Sequence, residues 1–307
     1  MIFFSIIIPT SNSPYKLKSL FESIIRNGFD ASIFEVILIE NGDESFCEEL
    51  CSTYISTLNI KYYYHKLEGF SAAEARNKGI STATGKFVFF FDDDVILEPN
   101  CIKEHLFHHL KNDKPKIVFG FRNNILNDTI INPKLGTVEE DPRLNLKLEL
   151  TNKNRLWYYA YSCNLSITFS TKKVYFDNNF KTWGNEDQEF AYRLFKNKFE
   201  VILGDKCLVH HYTDSKIRSP FLRDRYGLDS DYKDFLLSRL YFVKKHWKDI
   251  DLRNFLIDDF KLYKFRNNKW IRTEIPNPNF DFNEFEKVLN INYQYDYRVN
   301  SARKSIV

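Results

Sequence analysis

The sequence predicts an α/β protein: a mainly parallel sheet flanked by helices, followed by a mainly helical C-terminal extension. Apolar, β-branched runs alternate with segments of helical periodicity in the first part of the chain, which is typical of a parallel sheet. The 307 residues are 43% hydrophobic and 17% aromatic, so the chain can bury a large core and is not disordered. No apolar run approaches the roughly eighteen residues that a membrane-spanning helix needs. We therefore expect a soluble globular protein.

The first element is a strand. Phe3–Ile8 is a continuous apolar run ended by Pro9, which is typical of a strand buried on both faces. A helix follows, because apolar residues then recur at three- and four-residue spacing until Asn27 and Gly28 end it. The alternation continues with strands at Glu35–Ile39, Ile60–Tyr64 and Phe87–Phe91, and with helices at Phe46–Ser56 and Ala72–Ile80.

Polar side chains follow three of these strands at the point where each strand ends. The clusters are Thr10–Asn12, Glu40–Asp43 and Asp92–Asp94. Ligands of open parallel sheets bind beyond the carboxyl ends of the strands. The sequence therefore predicts a binding site at this edge of the sheet.

The rest of the chain is less regular. Strand-like runs at Ile117–Phe121 and Leu165–Phe169 precede a helical pattern at Asn185–Phe195. After residue 215 the pattern changes to an apolar stripe at helical spacing, formed by Phe235, Leu236, Leu240, Val243 and Trp247. These changes predict one domain over residues 1–215 and a helical extension over residues 216–307.

Charge and cysteine content narrow the possible partners. The net charge of +3 is too small to indicate nucleic acid, although residues 216–307 carry 19 basic and 13 acidic groups. Such a basic segment could contact an anionic membrane or acceptor, or it could be a solvated surface. The five cysteines form an odd and scattered set, unlike a disulfide framework or a zinc ribbon, which favours a reducing cytoplasm.

Three consecutive carboxylates, Asp92, Asp93 and Asp94, directly follow the most hydrophobic predicted strand. Three adjacent negative charges repel one another, and a divalent cation would relieve that repulsion. Because successive strand side chains alternate in direction, Asp92 and Asp94 are expected to face one side and Asp93 the other. The alternative is a solvated helix start that Asp94 caps.

Two later clusters carry groups that could join this site. Trp183 precedes Glu186 and Asp187 at the start of a predicted helix, where acidic residues are also common because of the helix dipole. The tandem His210 and His211 end an apolar run, and imidazole is a suitable ligand for manganese-like ions. A structural role for the tryptophan or for either histidine stays open at this point.

Seven segments occur in an order that resembles family-2 glycosyltransferases of the GT-A fold. They are FSIIIPT, ILIENGD, GFSAAEARNKGI, FFFDDDV, CNLSI, WGNEDQE and LVHHYTDS, and they cover residues 1 to about 215. The resemblance implies transfer of a sugar from a nucleotide donor, usually a UDP-sugar, with inversion at the anomeric carbon and a bound Mn²⁺ or Mg²⁺ ion. We expect a role in bacterial polysaccharide or glycoconjugate synthesis, in the cytoplasm or at the inner face of the membrane.

The resemblance also implies site residues. Asp92 and Asp94 match the DxD signature, with Asp92 toward the ribose or donor sugar and Asp94 on the metal. Glu40 stands where the family usually has an aspartate that contacts uracil. The residues expected to bind the donor are Pro9, Thr10, Asn12, Glu40, Arg76, Asn77, Asp92, Asp93 and Trp183, and the expected metal ligands are Asp94, Asp92, His210 and His211.

Asp187 is the expected general base that takes the acceptor's proton, and Glu186 is expected to orient the acceptor. The acceptor is a saccharide, a lipid-linked molecule or a peptide, and residues 216–307 are expected to recognise it, touch a membrane or pair two subunits into a homodimer. Two other functions fit the same sheet: a nucleotidyltransferase, and a catalytically silent sugar-nucleotide binder. A haloacid-type phosphatase does not, because Ile96 stands where that class needs Ser or Thr.

Overall fold

The computed structural model describes residues 1–11, 13–66, 71–126, 137–169, 174–213 and 219–290. The chain divides into two compact units. The first unit comprises Met1–Asn178 and Glu186–Lys216, and the second comprises Asn179–Asn185 and Ile217–Val307.

The first unit is a mixed sheet with helices. Its strands are β1 (Phe4–Thr10), β2 (Phe34–Gly42), β3 (Ile60–Lys66), β4 (Phe87–Phe91), β5 (Val95–Leu97), β6 (Lys116–Leu126), β7 (Val138–Glu139), β8 (Asn164–Thr168) and β9 (Glu200–Thr213). Its α-helices are α1 (Pro14–Arg26), α2 (Glu48–Leu58), α3 (Ala72–Thr82), α4 (Cys101–Leu110), α5 (Lys147–Thr151) and α6 (Glu186–Lys196). Among the described residues, these strands form one sheet in the order β3-β2-β1-β4-β8-β6-β9-β5, with β7 paired to β6.

The first four strands follow the predicted pattern. β1 lies between β2 and β4 and pairs in parallel with both, while β3 pairs in parallel with β2. All seven residues of β1 and all five of β4 are buried. The rings of Phe89 and Phe91 join the main core cluster, whereas Phe90 contacts Phe176 and Phe190. A strand that packs on both faces explains the unbroken apolar run in the sequence.

The second half of the sheet is mixed in direction. β8 pairs antiparallel with both β4 and β6, and β5 pairs antiparallel with β9. β6 and β9 pair in parallel, with a shift in register between Gly120 and Phe121. A Cβ atom on Gly120 would lie 1.7 Å from the carbonyl oxygen of Cys207, so only glycine fits at this shift. The register beyond the shift places Asn124 beside His211.

Helix α4 was not predicted, because its buried side includes two histidines. Both imidazoles bind hydroxyl and amide groups of β8. His105 lies 2.8 Å from Ser166 Oγ and 3.0 Å from Asn164 Oδ1, and His109 lies 2.8 Å from the same Ser166 oxygen. Burial lowers the pKa of His105 to about 4 and that of His109 to about 2. The helix thus attaches to the sheet through neutral imidazoles, which an apolar-periodicity rule does not detect.

The second unit contains α7 (Pro220–Arg225), α8 (Lys233–Lys245), α9 (Ile250–Phe260), the hairpin β10 (Tyr263–Arg266) and β11 (Lys269–Arg272), and a helical stretch at residues 282–290. The predicted stripe is buried in α8 at Phe235, Leu236, Leu240 and Val243, but Trp247 is 42% exposed and does not belong to it. The hairpin was not predicted. Its turn residues Asn267 and Asn268 both have positive φ, which asparagine tolerates in tight hairpin turns.

Within the described residues, no helix combines the length and the apolar character needed to cross a membrane.

The buried histidines predict a pH-dependent stability. Both are neutral when folded but take up a proton near pH 6.5 when unfolded, so the stability they support is complete above pH 6.5. As the pH falls from 6.5 toward 4, each histidine should remove about 1.4 kcal/mol of unfolding free energy per pH unit.

Denaturant unfolding of the wild-type chain between pH 7 and pH 5 measures this loss. The double variant H105Q/H109Q should give a flatter pH profile, because glutamine keeps a neutral polar group that does not titrate. The exposed His65 supplies the control, since H65Q should leave the profile unchanged. Equal profiles for wild type and the double variant would contradict the assignment.

Candidate active site

The topology brings the predicted polar clusters together at one edge of the sheet. Thr10 at the end of β1 pairs with Glu40 at the end of β2, and Asp92–Asp94 directly follow β4, the other neighbour of β1. His211 reaches the same edge because β9 pairs with β5, placing it opposite Val95 and next to Asp94 in register. Residues far apart in sequence therefore meet around the aspartate run.

Each of the three aspartates has a different partner. Asp92 Oδ1 accepts a hydrogen bond from Arg76 Nη2 at 2.8 Å, and Asp93 Oδ2 accepts one from Thr10 Oγ1 at 2.5 Å. Asp94 Oδ1 lies 3.3 Å from His211 Nε2. The three residues lie beyond the end of β4, so strand alternation does not decide their directions, and Asp93 binds Thr10 of β1.

Burial, mutual repulsion and neighbouring cations together shift the pKa values of these carboxyl groups in different directions. Burial and the charge of Asp94 raise the pKa of Asp93 to about 8, against the opposing hydrogen bond from Thr10. Burial also raises the pKa of Asp92, although Arg76 opposes that rise. For Asp94, burial again acts upward, but His211, Lys16 and Arg122 outweigh it and hold the pKa below its usual range. Of the three aspartates, only the one beside His211 has its pKa lowered.

Arg76 connects the aspartate run to the second predicted cluster. Its side chain is only 4% exposed and lies against the ring of Phe176. Nη2 pairs with Asp92, while Nη1 lies 3.5 Å from Asp187 Oδ1 and 3.7 Å from Glu186 Oε1. Three carboxylates raise the pKa of the guanidinium despite its burial, so it stays charged. The expectation that Arg76 approaches the base and diphosphate did not include this bridging arrangement.

Asp187 is held in a defined orientation at the start of α6. Its Oδ1 accepts a hydrogen bond from Ser162 Oγ at 2.7 Å, and its Oδ2 accepts one from the Ser162 backbone N–H at 3.2 Å. Burial and the charge of Asp187 raise the pKa of the neighbouring Glu186 to about 7. The structure therefore presents one positioned carboxylate beside another that titrates near neutrality.

The Glu40 carboxylate already accepts hydrogen bonds from groups of the chain itself. The residue is fully buried, and its carboxylate accepts hydrogen bonds from the backbone N–H groups of Phe46 (3.0 Å) and Cys47 (3.2 Å) and from the Tyr62 hydroxyl (2.5 Å). These bonds fix the loop that leads into α2. The contact with uracil expected at this position stays a prediction, and the donors already present compete with it.

The remaining predicted donor residues are placed as follows. Pro9 is buried in β1, and Asn12 lies outside the described residues. The Asn77 side chain binds the backbone of Phe176 through both its oxygen and its nitrogen, which indicates a role in fixing that loop. Trp183 belongs to the second unit, where it is 36% exposed and lies 6.3 Å from Phe235, ring centre to ring centre.

The tandem histidines separate into two different environments. His210 Nε2 lies 2.5 Å from Glu98 Oε1, away from the aspartate run. His211 Nε2 faces Asp94, and its Nδ1 lies 3.4 Å from Thr213 Oγ1. Of the two histidines expected as metal ligands, only His211 is placed next to a carboxylate of the run.

Sequence reasoning did not single out two groups of this site. Ser162, which binds Asp187, precedes β8, and Arg122 on β6 donates from Nη1 to Cys163 Sγ at 3.8 Å. The segment Cys163–Ile167 was recognised as a family motif, but only the antiparallel pairing of β8 with β4 shows that its start lies beside the aspartates.

The model of glycosyl transferase family 2 matches residues 5–180, more than half of the chain, so the chain belongs to that family. The chain is 28% identical over 221 residues to the hyaluronan synthase of Pasteurella multocida, a match that covers 62% of this chain and 22% of that protein. The chain thus spans about a fifth of the length of this relative.

Two solved structures share the fold. Staphylococcus aureus TarS 1-349 in complex with UDP-GlcNAc superposes with a TM-score of 0.58 at 20% identity, covering 84% of this chain and 71% of that one. The mannosyltransferase PcManGT from Pyrobaculum calidifontis, in complex with GDP-Man and Mn²⁺, gives 0.57 at 13% identity, covering 78% and 64%. The predicted α/β fold of the GT-A type is confirmed.

The buried position of Arg76 predicts a large stability effect. R76M would leave the carboxylates of Asp92, Asp187 and Glu186 without their shared cation, and removing one partner of a buried ion pair costs about 3–5 kcal/mol. Denaturant unfolding at pH 7 measures the change. K18M removes an exposed pair with Glu22 at 4.0 Å and should cost less than about 1 kcal/mol. Similar small losses for both variants would show that Arg76 does not hold these carboxylates together.

Proposed function

We propose that this chain is a metal-dependent inverting glycosyltransferase that moves a sugar from a nucleotide-sugar, most simply a UDP-sugar, to an acceptor hydroxyl. One observation carries the proposal: a single buried guanidinium joins Asp187, a positioned carboxylate, to Asp92 at the donor-binding edge of the sheet. The family match supports the reaction class, and the two structural relatives bind UDP-GlcNAc and GDP-Man.

Asp187 has the properties that a general base for this reaction needs. A carboxylate accepts a proton only if it is aimed at the acceptor hydroxyl, and Ser162 fixes both of its oxygens by donating from Oγ and from the backbone N–H. The acceptor oxygen attacks the anomeric carbon and its proton passes to Asp187. The bond from that carbon to the diphosphate breaks on the opposite face, which inverts the configuration. Arg76 balances the charge of Asp187 before the proton arrives.

The residues beside Asp94 fit a divalent cation. Asp94 Oδ1 is buried and accepts no hydrogen bond, and His211 Nε2 lies 3.3 Å from it. Two ligand atoms bound at right angles to one octahedral ion lie about 3 Å apart, so this spacing suits a shared ion. Thr213 Oγ1 can accept from Nδ1–H of His211, which leaves the Nε2 lone pair for a metal.

Asp94 and His211 would hold such an ion, and diphosphate oxygens and water would complete its shell. Among the described residues no three His, Cys, Asp or Glu side chains form a metal-holding group by themselves, so we expect ion and nucleotide to bind together. When bound, the cation neutralises the charge that develops on the departing diphosphate. Manganese accompanies GDP-Man in the structure of PcManGT, which supports this assignment.

The two other candidate functions lack a matching observation. A nucleotidyltransferase attacks phosphorus and gives Asp187 no evident task, and a silent binder needs no oriented base. Acceptor recognition, membrane contact or dimerisation by residues 216–307 and a place at the inner face of the membrane stay predictions, as does polysaccharide or glycoconjugate synthesis in a bacterial cytoplasm.

Replacing the base tests the catalytic assignment. D187N should lower sugar transfer about 10²- to 10⁴-fold, the usual contribution of a general base, while UDP affinity changes less than about threefold. S162A should retain part of the activity, because Asp187 keeps its charge but loses one orienting bond. The measurements are transfer rates from a panel of nucleotide-sugars and calorimetric UDP affinities. Unchanged transfer by D187N would exclude this base, and absence of turnover in wild type with every donor would favour the silent binder.

The adjacent histidines provide a matched pair for the metal assignment. H211A should abolish the increase in UDP affinity that Mn²⁺ produces, because it removes the imidazole facing Asp94. H210A should keep that increase, since His210 pairs with Glu98 instead. Calorimetric titration of UDP with Mn²⁺ and after chelation gives the comparison. The assignment is wrong if H210A loses the effect and H211A keeps it, or if chelation leaves the wild-type affinity unchanged.

A further inference from the structure

Arg122 is a cation of this edge that forms no ion pair with any of the described residues. Its guanidinium donates a hydrogen bond to Cys163, the 3.8 Å contact from Nη1 to Sγ. Among the described residues, no carboxylate oxygen lies within 4.0 Å of it, whereas Arg76 is shared by three carboxylates and Arg143 pairs with Asp141. A thiol is a weak acceptor and can satisfy little of the five-donor guanidinium. Arg122 therefore keeps its charge and most of its donors available for a ligand.

The sheet places this guanidinium beside the aspartate run. Phe91 of β4 pairs with Asn164 of β8, so the next residues outward, Asp92 and Cys163, are neighbours at the strand ends. The hydrogen bond to Cys163 thus brings Arg122 to the carboxyl end of β4. Its charge also contributes to holding the pKa of Asp94 below the usual range.

Asn124 supplies an independent second observation. It lies two residues after Arg122 on β6 and beside His211 on β9, so all three side chains share one face of the sheet. Asn124 is fully buried, yet among the described residues neither its Nδ2 nor its Oδ1 has a hydrogen-bond partner. A buried amide without partners is destabilising and rare in folded proteins. A ligand with an acceptor oxygen next to His211 would satisfy the Nδ2 donor.

We propose that Arg122 and Asn124 form an oxyanion-binding subsite for the donor beside Asp94 and His211. Arg122 donates its planar fork to two oxygens of the anion, and Asn124 donates from Nδ2. The anion is the diphosphate of the nucleotide or a carboxylate on the donor sugar. The inference rests on the proposed function and gives the two arginines separate roles: Arg76 pairs with the proposed base, and Arg122 binds the donor.

This division of roles follows from charge balance. Arg76 is surrounded by three carboxylates, which leave it little positive potential to offer an anion. The Asp141 carboxylate binds the backbone N–H of Arg122, but in the described part of the chain no carboxylate lies within ion-pair distance of its guanidinium, so an incoming oxyanion meets a less compensated cation there than at Arg76. Hydrogen bonds to a charged group are worth more than neutral ones, so the effect on binding should be large.

Calorimetric binding of UDP, UDP-glucose and UDP-glucuronic acid, with Mn²⁺ present, tests the subsite in variants of the full chain. R122M should weaken binding about 10- to 100-fold, the range for lost hydrogen bonds to a charged partner. R122K, which keeps the charge but not the fork, should fall between R122M and wild type. The exposed Arg26 provides the control, and R26M should bind like wild type.

The three ligands distinguish the two anions. If the diphosphate is bound, R122M loses affinity for all three. If a sugar carboxylate is bound, UDP affinity is retained and only the preference for UDP-glucuronic acid over UDP-glucose disappears. Unchanged affinities for all three in R122M overturn the inference, while wild type that binds none of them would instead refute the proposed function.

N124L provides a readout that a merely structural role would not give. Leucine removes the unsatisfied amide from a buried site, so the melting temperature of the free protein should rise while the affinity for UDP with Mn²⁺ falls severalfold. Lower affinity together with higher stability supports the subsite. Wild-type affinity in N124L, whatever its melting temperature, removes Asn124 from it.

Discussion

The arrangement of this site depends on one buried arginine. Arg76 stands in α3 and contacts Asp92 after β4 and both Glu186 and Asp187 at the start of α6. Without that cation, three partly buried carboxylates would lie at one edge of the sheet with no shared cation to offset their repulsion. Arg76 therefore allows the chain to place the proposed donor-binding carboxylate and the proposed base close together, as the proposed sugar transfer requires.

The sheet topology determines which residues can take part. Parallel pairing of β1 with β2 and β4 carries Thr10, Glu40 and the aspartate run to one edge. Insertion of β8 in the opposite direction then brings Ser162 to that edge, where it fixes Asp187. The register shift at Gly120 sets the partners of β6 beyond it. The proposed base and the proposed donor subsite thus depend on different strands of the same sheet.

Local patterns in the sequence were sufficient for the apolar strands β1 to β4 and for the acidic clusters, but not for the β10–β11 hairpin. β4 is an unbroken apolar run, and Asp92–Asp94 follow it immediately, so both could be located without a structure. Glu40 could not be assessed in this way, because its three donors come from Phe46, Cys47 and Tyr62 and meet it only after folding. The role of Arg76 could not be assessed from the sequence either, since its partner Asp187 lies 111 residues away.

A crystal structure of the chain with Mn²⁺ and UDP tests the central claim most directly. The distances to compare are those from the Arg76 guanidinium to Asp92 and Asp187 and to the nearest phosphate oxygen. If Arg76 holds the two carboxylates together, it stays within ion-pair distance of both while the diphosphate lies against Asp94 and His211. A complex in which Arg76 leaves Asp187 and binds the diphosphate itself would contradict that claim.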